Sequence, residues 1–286
     1  MRVGMILPRE EPGGGSLTAV GLAEGARRIE RTGFDGAWVF DAVNRGFALP
    51  DPLTALAVAG TVTERLELGT CILQLGIRQP VEVAHRVMTT HLVCGDRLSL
   101  GVGAGSTRSD FLAFGASYEN RFDTFAASLD VLRSTLGGDP PEGIDLTPWP
   151  ATAGGPRMLI GAWAGGSWIR RAAEEFDGWI CSAAKGGRLA EGIELYRAAG
   201  GRRAMVTNIS VALDGPEDPP AQGAPVSLEC GPRQARDRLA QLQDLGFDDV
   251  ILRTTEHTDR NLEAIRALVP TGTSGPAATR KAGPIG

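Results

Sequence analysis

Short apolar runs alternate with helical patterns along most of the 286-residue chain. The runs predicted to be strands are 3–7, 37–40, 66–73, 98–102, 158–162, 179–181, 205–213 and 250–252. The segments predicted to be helices are 17–31, 52–62, 80–93, 122–136, 167–175, 189–199, 232–245 and 259–268. Alternation of this kind produces parallel βαβ crossovers, and continuously apolar strands are typical of a sheet covered on both faces.

The number of these units favours an α/β fold consisting of a single (β/α)₈ TIM barrel, since a doubly wound sheet usually stops at about six strands. We expect one barrel domain over residues 1–270, with an insertion after the fourth strand. The segment 271–286 is rich in small polar residues, Gly and Pro, and is expected to be a disordered, flexible tail. In such a barrel the loops that follow the strands form the active face.

Composition excludes several classes of function. The net charge of −5 offers no basic surface for nucleic acid, and no apolar stretch approaches the roughly 18 residues of a membrane span. The four cysteines form no Cys-x-x-Cys pair and the three histidines no His-x-x-x-His pair, so no metal site is expected. These features predict a cytoplasmic protein with a small-molecule substrate.

The stretch RLSLGVGAGS, residues 97–106, places glycines at 101, 103 and 105. A dinucleotide-binding fingerprint would follow the first strand and would have a third glycine where Ser106 stands, so that interpretation fails. Glycines at the end of a barrel strand instead let a flat ligand approach the main chain, because a side chain there would block the face.

Three segments carry a resemblance to a known family. DPLTALAVAGTVTERLELGTCI (51–72), QPVEVAHRVMTTHLVCGDRLSLGVGAG (79–105) and FGASYENRFDTFAASLDVLR (114–133) resemble the bacterial luciferase-like superfamily of flavin- and deazaflavin-dependent oxidoreductases. The resemblance implies a barrel with an insertion after the fourth strand, a flavin or deazaflavin ring at the ends of the strands, and a homodimer.

The resemblance also implies where the ring lies. Asp41, at the end of the second strand, and Asn44 are predicted to make polar contact with the reacting centre; the alternative is that Asp41 caps or pairs at the barrel rim. Cys71–Ile72 occupies the position at which the family often has a non-proline cis peptide bond against the ring. The loop residues predicted to line the ring are Ala104, Gly105 and Ser106.

A phosphate site is predicted after the fifth strand. Gly165, Gly166 and Ser167 lead into a helix there, so free backbone N–H groups would face an anion, although an ordinary helix cap is the alternative for Ser167. After the sixth strand, Ser182 and Lys185 are placed to contact a phosphate or an acidic tail, unless Lys185 is simply solvated. Trp163 is expected to stack on the ring, wall the substrate pocket or pack in the core.

We therefore expect an oxidoreductase that transfers hydride between coenzyme F420 and a small organic substrate. The pattern AGGS…RRAAEEFDGW resembles the deazaflavin branch. An FMN-dependent monooxygenase and a non-catalytic barrel that has lost its cofactor are the alternatives. Ala42 stands where many F420 enzymes carry a histidine, and Ser106 where sugar-phosphate dehydrogenases of the family carry a glutamate. These departures leave the proton donor open and argue against a sugar-phosphate substrate.

Overall fold

The structure is a computed structural model that describes residues 1–12, 14–163, 166–216 and 223–269. The strands are β1 (Arg2–Ile6), β2 (Gly36–Val39), β3 (Glu67–Thr70), β4 (Leu73–Gln74), β5 (Leu98–Gly103), β6 (Arg157–Gly161), β7 (Gly178–Ser182), β8 (Ala204–Ala212), β9 (Leu228–Glu229) and β10 (Asp249–Arg253). The helices are α1 (Ala19–Arg31), α2 (Pro52–Val62), α3 (Pro80–Cys94), α4 (Arg108–Ala113), α5 (Arg121–Gly137), α6 (Trp168–Glu175), α7 (Leu189–Ala198), α8 (Pro232–Asp244) and α9 (Asp259–Arg266). Gly165 and the predicted tail lie outside the described residues.

The long strands close into a parallel barrel in the order β1-β2-β3-β5-β6-β7-β8-β10, and β10 pairs with β1. This confirms the predicted TIM barrel and the insertion after its fourth strand, which carries α4 and α5. The predicted strand 66–73 is interrupted at Cys71 and Ile72, and the peptide bond between these two residues is cis. The chain resumes as β4, which pairs with β5.

Local signals explain where the helices begin. Helix α2 starts at Pro52 after the side chain of Asp51 accepts a hydrogen bond from the backbone N–H of Thr54, and α3 starts at Pro80 with Gln79 in the same capping role. The sequence pattern does not predict α4. It is a short helix whose one conspicuous feature is Asp110, which is completely buried.

Trp38 fills the middle of the barrel. It is 2% exposed, and a Cβ atom added at Gly4, Gly36 or Gly69 would lie 2.2–2.7 Å from its indole ring. These three glycines therefore leave the space that the indole occupies. The other inward-facing buried side chains packed with Trp38 are Cys71, Leu159, Ile180, Met205 and Ile251. The barrel interior is a packed core below the rim.

A buried ionic network closes the N-terminal end of the barrel. Arg203 donates to both carboxylate oxygens of Glu67, at 2.7 and 2.9 Å, and to both of Asp249, at 2.7 and 2.9 Å. Arg2 pairs with the same two carboxylates. Burial acts to raise the pKa of Glu67, but the guanidinium groups of Arg203 and Arg2 hold it well below its usual value.

The described residues contain neither a membrane-spanning helix nor a metal cluster. None of the helices there is both long and apolar enough to cross a lipid bilayer. The described part of the chain also contains no group of three or more His, Cys, Asp or Glu side chains placed to hold a metal ion.

Candidate active site

A cavity of about 850 Å³ opens at the C-terminal ends of the barrel strands. Its walls come from the ends of β1, β2, β5, β6, β7, β8 and β10 and from the insertion. This is the face at which barrel enzymes carry out their chemistry, and the volume suits a ligand of cofactor size.

Cys71 and Ile72 line the cavity, and the bond between them has the cis geometry that the resemblance implied. The Ile72 side chain covers two glycines: a Cβ at Gly161 would be 2.6 Å from its Cγ2, and one at Gly103 would be 3.0 Å from its Cδ1. Gly103 and Gly161 both line the cavity, and Ile72 occupies the space that a side chain on either would need. Both glycines make room for Ile72, which presents an apolar surface to the cavity.

The other two glycines of the same run have different roles. A Cβ at Gly101 would lie 2.1 Å from the carbonyl oxygen of Thr70, so this glycine permits close approach of two strands inside the barrel. Gly105 does line the cavity. Its φ is 86°, and a Cβ atom there would lie 2.6 Å from Oε1 of Gln74, so both its conformation and its surroundings require glycine.

Asp41 lines the cavity, but its carboxylate is fully engaged. Arg78 donates to both of its oxygens, at 2.5 and 2.9 Å, and the backbone N–H of Gln74 donates to Oδ2 at 2.8 Å. The side chains of Asp41 and Arg78 are 1% and 8% exposed. The pairing at the barrel rim that was considered for Asp41 is therefore present, and contact of Asp41 with a reacting centre stays a prediction.

A second buried carboxylate continues this network. Asp110 of α4 accepts hydrogen bonds from Arg45, at 2.6 Å for the shortest, and from Nε2 of Gln74 at 2.9 Å. Burial acts to raise the pKa of Asp110, but these two donors and the backbone N–H of Asn44 hold it below its usual value. The network ties the loop after β2 to the insertion and keeps the rim rigid.

The loop after β5 takes the predicted place. Ala104, Gly105 and Ser106 line the cavity, and the hydroxyl of Tyr118 donates to the Ser106 carbonyl oxygen at 3.2 Å. Tyr118 also lines the cavity and stacks with Arg121, whose guanidinium carbon is 4.0 Å from its ring centroid. The insertion therefore supplies one wall.

Of the described residues predicted to contact a phosphate, only some line the cavity. Gly166, Ser182 and Trp163 line the cavity, and Trp163 is 54% exposed, which excludes core packing. Ser167 is exposed and its side chain makes no capping hydrogen bond to α6. Lys185 places its Nζ 4.2 Å from the ring centroid of Trp163 instead of lining the cavity.

Asn44 is also outside the cavity lining. Its Nδ2 donates to the carbonyl oxygen of Ser109 and its backbone N–H to Asp110, so it anchors the rim loop. The predicted polar contact of Asn44 with a reacting centre stays a prediction, and these bonds hold the residue on the insertion side of the loop.

Sequence reasoning missed a polar wall opposite Ile72. Thr207, Asn208 and Ser210 of β8 line the cavity, as does Arg253 at the end of β10. The sequence does contain an indication of this wall, because Thr, Asn and Ser interrupt the apolar run predicted as strand 205–213. Among the described lining residues the carboxylates are Asp41 and Glu229, and Glu229 is exposed.

The Cys71 thiol is unsuited to nucleophilic chemistry. Burial raises its pKa to about 12, although a contact with the Thr207 hydroxyl acts in the other direction. A thiol with such a pKa remains protonated near neutrality, and only the thiolate is a strong nucleophile. Cys71 therefore acts as a small apolar wall residue.

Comparison with known proteins places this cavity in context. The family model of luciferase-like monooxygenases matches residues 1–218. The 4-hydroxyprotoasukamycin monooxygenase of Streptomyces nodosus subsp. asukaensis is 33% identical over 133 residues, which cover 46% of this chain and 35% of that protein. The F420-dependent glucose-6-phosphate dehydrogenase of Intrasporangium calvum is 29% identical over 187 residues, which cover 59% of this chain and 55% of that protein. The matched part of the chain thus spans between about a third and a little over half of these relatives' length.

Solved structures share the fold at low identity. An F420-dependent secondary alcohol dehydrogenase, in complex with an F420-acetone adduct, superposes with a TM-score of 0.75 at 15% identity, over 96% of this chain and 99% of that one. The oxygenating constituent of 3,6-diketocamphane monooxygenase from Pseudomonas putida, in complex with FMN, superposes with a TM-score of 0.74 at 16% identity. The superposition covers 93% of this chain and 97% of that one. Relatives of both cofactor types therefore have this barrel.

Proposed function

The chain belongs to the luciferase-like monooxygenase family, and from that premise we propose that it is an oxidoreductase that transfers hydride between coenzyme F420 and a small organic substrate. The observation that carries the proposal is the cavity at the C-terminal ends of the strands, with an apolar wall at Ile72 and a polar wall at Thr207 and Asn208. The apolar wall offers a surface on which a flat redox ring can pack. The polar wall offers hydrogen-bonding groups for a substrate.

The residues present fit a tricyclic cofactor. The volume of about 850 Å³ accommodates such a ring together with a small substrate. Ile72 and Ala104 would contact the ring, and Gly166 and Ser182, which also line the cavity, would hold its phosphate-bearing chain. When bound, the deazaflavin itself supplies the hydride chemistry, so the protein must bind, orient and exclude water.

The chain's own residues perform those tasks. The Arg78–Asp41 pair and the Arg45–Asp110 pair fix the rim. The exposed aromatic residues Phe47, Phe122 and Trp163, which line the cavity, reduce access of water to its interior.

Two observations bear on the choice of cofactor. The F420-dependent glucose-6-phosphate dehydrogenases of Intrasporangium calvum and Nocardia farcinica match 59% and 61% of this chain, whereas the monooxygenase of Streptomyces matches 46%. The longer match supports F420. Glucose 6-phosphate itself is not proposed as substrate, because Ser106 is exposed and carries no charge where that activity has a glutamate.

An FMN-dependent monooxygenase is the second candidate, favoured by the higher identity of 33% to the Streptomyces monooxygenase. We also propose a homodimer, which size-exclusion chromatography with light scattering tests: the mass of two chains supports it and that of one overturns it.

Equilibrium titration with oxidised F420 and with FMN, followed by each cofactor's fluorescence, tests the proposal. We expect saturable one-to-one binding of F420, at least tenfold tighter than FMN, and F420 reduction with an alcohol substrate. Preference for FMN, with oxygen consumption on addition of reduced FMN, would move the assignment to the monooxygenase. Binding of neither cofactor would overturn both and leave a non-catalytic barrel.

A further inference from the structure

Strand β8 is irregular where it reaches the cavity. Its pairing register with β10 shifts between Val250 and Leu252. Two residues of β8, Thr207 and Asn208, therefore stand opposite one residue of β10. Asn208 has a φ of 66° and is the one non-glycine residue with positive φ in the described part of the chain. A β-bulge of this kind re-aims side chains and is common next to active sites.

The bulge changes which residues face the cavity. In a regular strand alternate side chains point inward, so Met205, which packs in the barrel interior, would be followed inward by Thr207 and Ile209. Instead Ile209 is fully buried in the outer core, between barrel and helices, and Ser210 lines the cavity. The extra residue thus replaces an apolar lining group by polar ones.

Within the described ranges, no oxygen or nitrogen of the protein pairs with the side chains of these polar groups. Thr207 is 6% exposed, and its hydroxyl, apart from its contact with the Cys71 thiol, makes no hydrogen bond to an oxygen or nitrogen of the described residues. The side chains of Asn208 and Ser210 line the cavity and likewise make no hydrogen bond within the described ranges. Buried polar groups are normally hydrogen-bonded, so the Thr207 hydroxyl, which faces a cavity beside the half-buried Asn208 and Ser210, indicates a ligand.

We infer that Thr207 and Asn208 bind an uncharged oxygen of the substrate, a carbonyl or a hydroxyl, opposite the apolar wall at Ile72. An amide and a hydroxyl each offer a donor and an acceptor, so either type of oxygen is satisfied. Calling this ligand the substrate rests on the proposed oxidoreductase function. Arg253, on the strand that pairs with β8, is exposed at the rim, whereas Thr207 is buried, so the part of the wall that β8 forms carries no charge.

Three probes of similar shape test the site: cyclohexanone, cyclohexanol and the hydrocarbon cyclohexene. Their dissociation constants are measured by ligand-observed NMR on the chain loaded with F420 or FMN and on the chain without cofactor. The variant Asn208→Gly removes the amide while glycine keeps the positive φ, and Asn208→Asp keeps an acceptor but removes the donor. Asn120→Gly, at an exposed position outside the cavity lining, is the control.

We expect the ketone and the alcohol to bind more tightly than cyclohexene. Asn208→Gly weakens both by about two- to tenfold, the range for loss of one neutral hydrogen bond, and leaves cyclohexene unchanged. Asn208→Asp weakens the ketone and retains the alcohol, because a carboxylate accepts a hydrogen bond and donates none. Equal affinity for all three probes, no binding of any, or no effect of Asn208→Gly would overturn the inference.

The outcome separates this inference from the proposed function. Oxygen-selective binding that depends on Asn208, in a chain that binds neither cofactor, would leave the site standing and overturn the function. Cofactor binding, together with probe affinities that do not change when Asn208 is replaced, would support the function and overturn the site. Thermal unfolding of each variant checks that the barrel is intact.

Discussion

At the scale of single residues, tertiary contacts show partners of the predicted site residues that the sequence alone does not reveal. Asp41 lies at the cavity as predicted, but its role could not be assigned from sequence, because its partner Arg78 is 37 positions away and reaches it only through the barrel. Ile72 is at the cis bond as expected, yet its packing over Gly103 and Gly161 depends on three strands meeting. Sequence pattern locates such residues; tertiary contacts determine their roles.

Replacing Arg78 by Gln should lower the free energy of unfolding by about 3–5 kcal/mol, because it leaves the buried Asp41 carboxylate without its partner. Urea denaturation measures this, and Arg78→Gln combined with Asp41→Asn should recover part of the loss. Arg31→Gln, which removes an exposed pair with Glu24, serves as control and should change stability by less than about 1 kcal/mol. A change at Arg78 no larger than the control would contradict the assignment of a buried pair.

Gly161→Ala should reduce cofactor binding more than it reduces stability. The new Cβ, 2.6 Å from Ile72 Cγ2, pushes that side chain toward the cavity. We expect at least a tenfold rise in the dissociation constant for the preferred cofactor. Gly137→Ala, at the end of α5 with no atom within 4 Å of the added Cβ, is the matched control. Unchanged binding in Gly161→Ala would show that the ring does not use the Ile72 wall.

At the scale of elements, local sequence signals determine where the helices begin, while pairing between strands determines the shape of the site. Helix α2 runs from Pro52 to Val62 as predicted because Asp51 and Pro52 specify its start locally. The break between β3 and β4 and the bulge at Asn208 lie within apolar runs that predict continuous strands, since both irregularities depend on the register of neighbouring strands.

The charge of Asp51 gives a pH-dependent prediction for α2. Burial acts to raise the pKa of Asp51, but Arg86 and Thr54 hold it below its usual value. A lowered carboxyl pKa contributes stability that is present above the unfolded value, near 4, and is lost as pH falls through the folded value. Asp51→Asn keeps a capping oxygen, so wild type should be more stable at pH 7 and this advantage should shrink below about pH 4, measured by thermal unfolding. A pH-independent difference would contradict the assigned role of the charge.

At the scale of the whole molecule, the barrel separates stability from function along its axis. The Glu67–Arg203–Asp249 network closes the N-terminal end, Trp38 fills the middle, and the cavity opens at the other end. The alternation of apolar and helical segments is enough to predict this architecture. It cannot predict the network, in which Arg203 bonds to Glu67 across 136 positions of the chain.

Glu67→Gln should therefore destabilise the barrel without altering the cavity. Removing one member of a buried ionic network costs about 3–5 kcal/mol, whereas Glu64→Gln at an exposed position should cost less than about 0.5 kcal/mol. Chemical denaturation gives the stability and fluorescence titration the cofactor affinity. Unchanged stability of the Glu67→Gln protein, or loss of cofactor affinity while it is folded, would contradict the claim that stability and cofactor binding depend on opposite ends of the barrel.

The crystal structure of the chain with its preferred cofactor tests the central claim most directly. We predict electron density for the ring inside the cavity, in contact with Ile72 of the cis bond, and room for a small molecule between the ring and Asn208. Density for the ring outside this cavity, or a ring on the β8 side with Ile72 uncovered, would contradict the account.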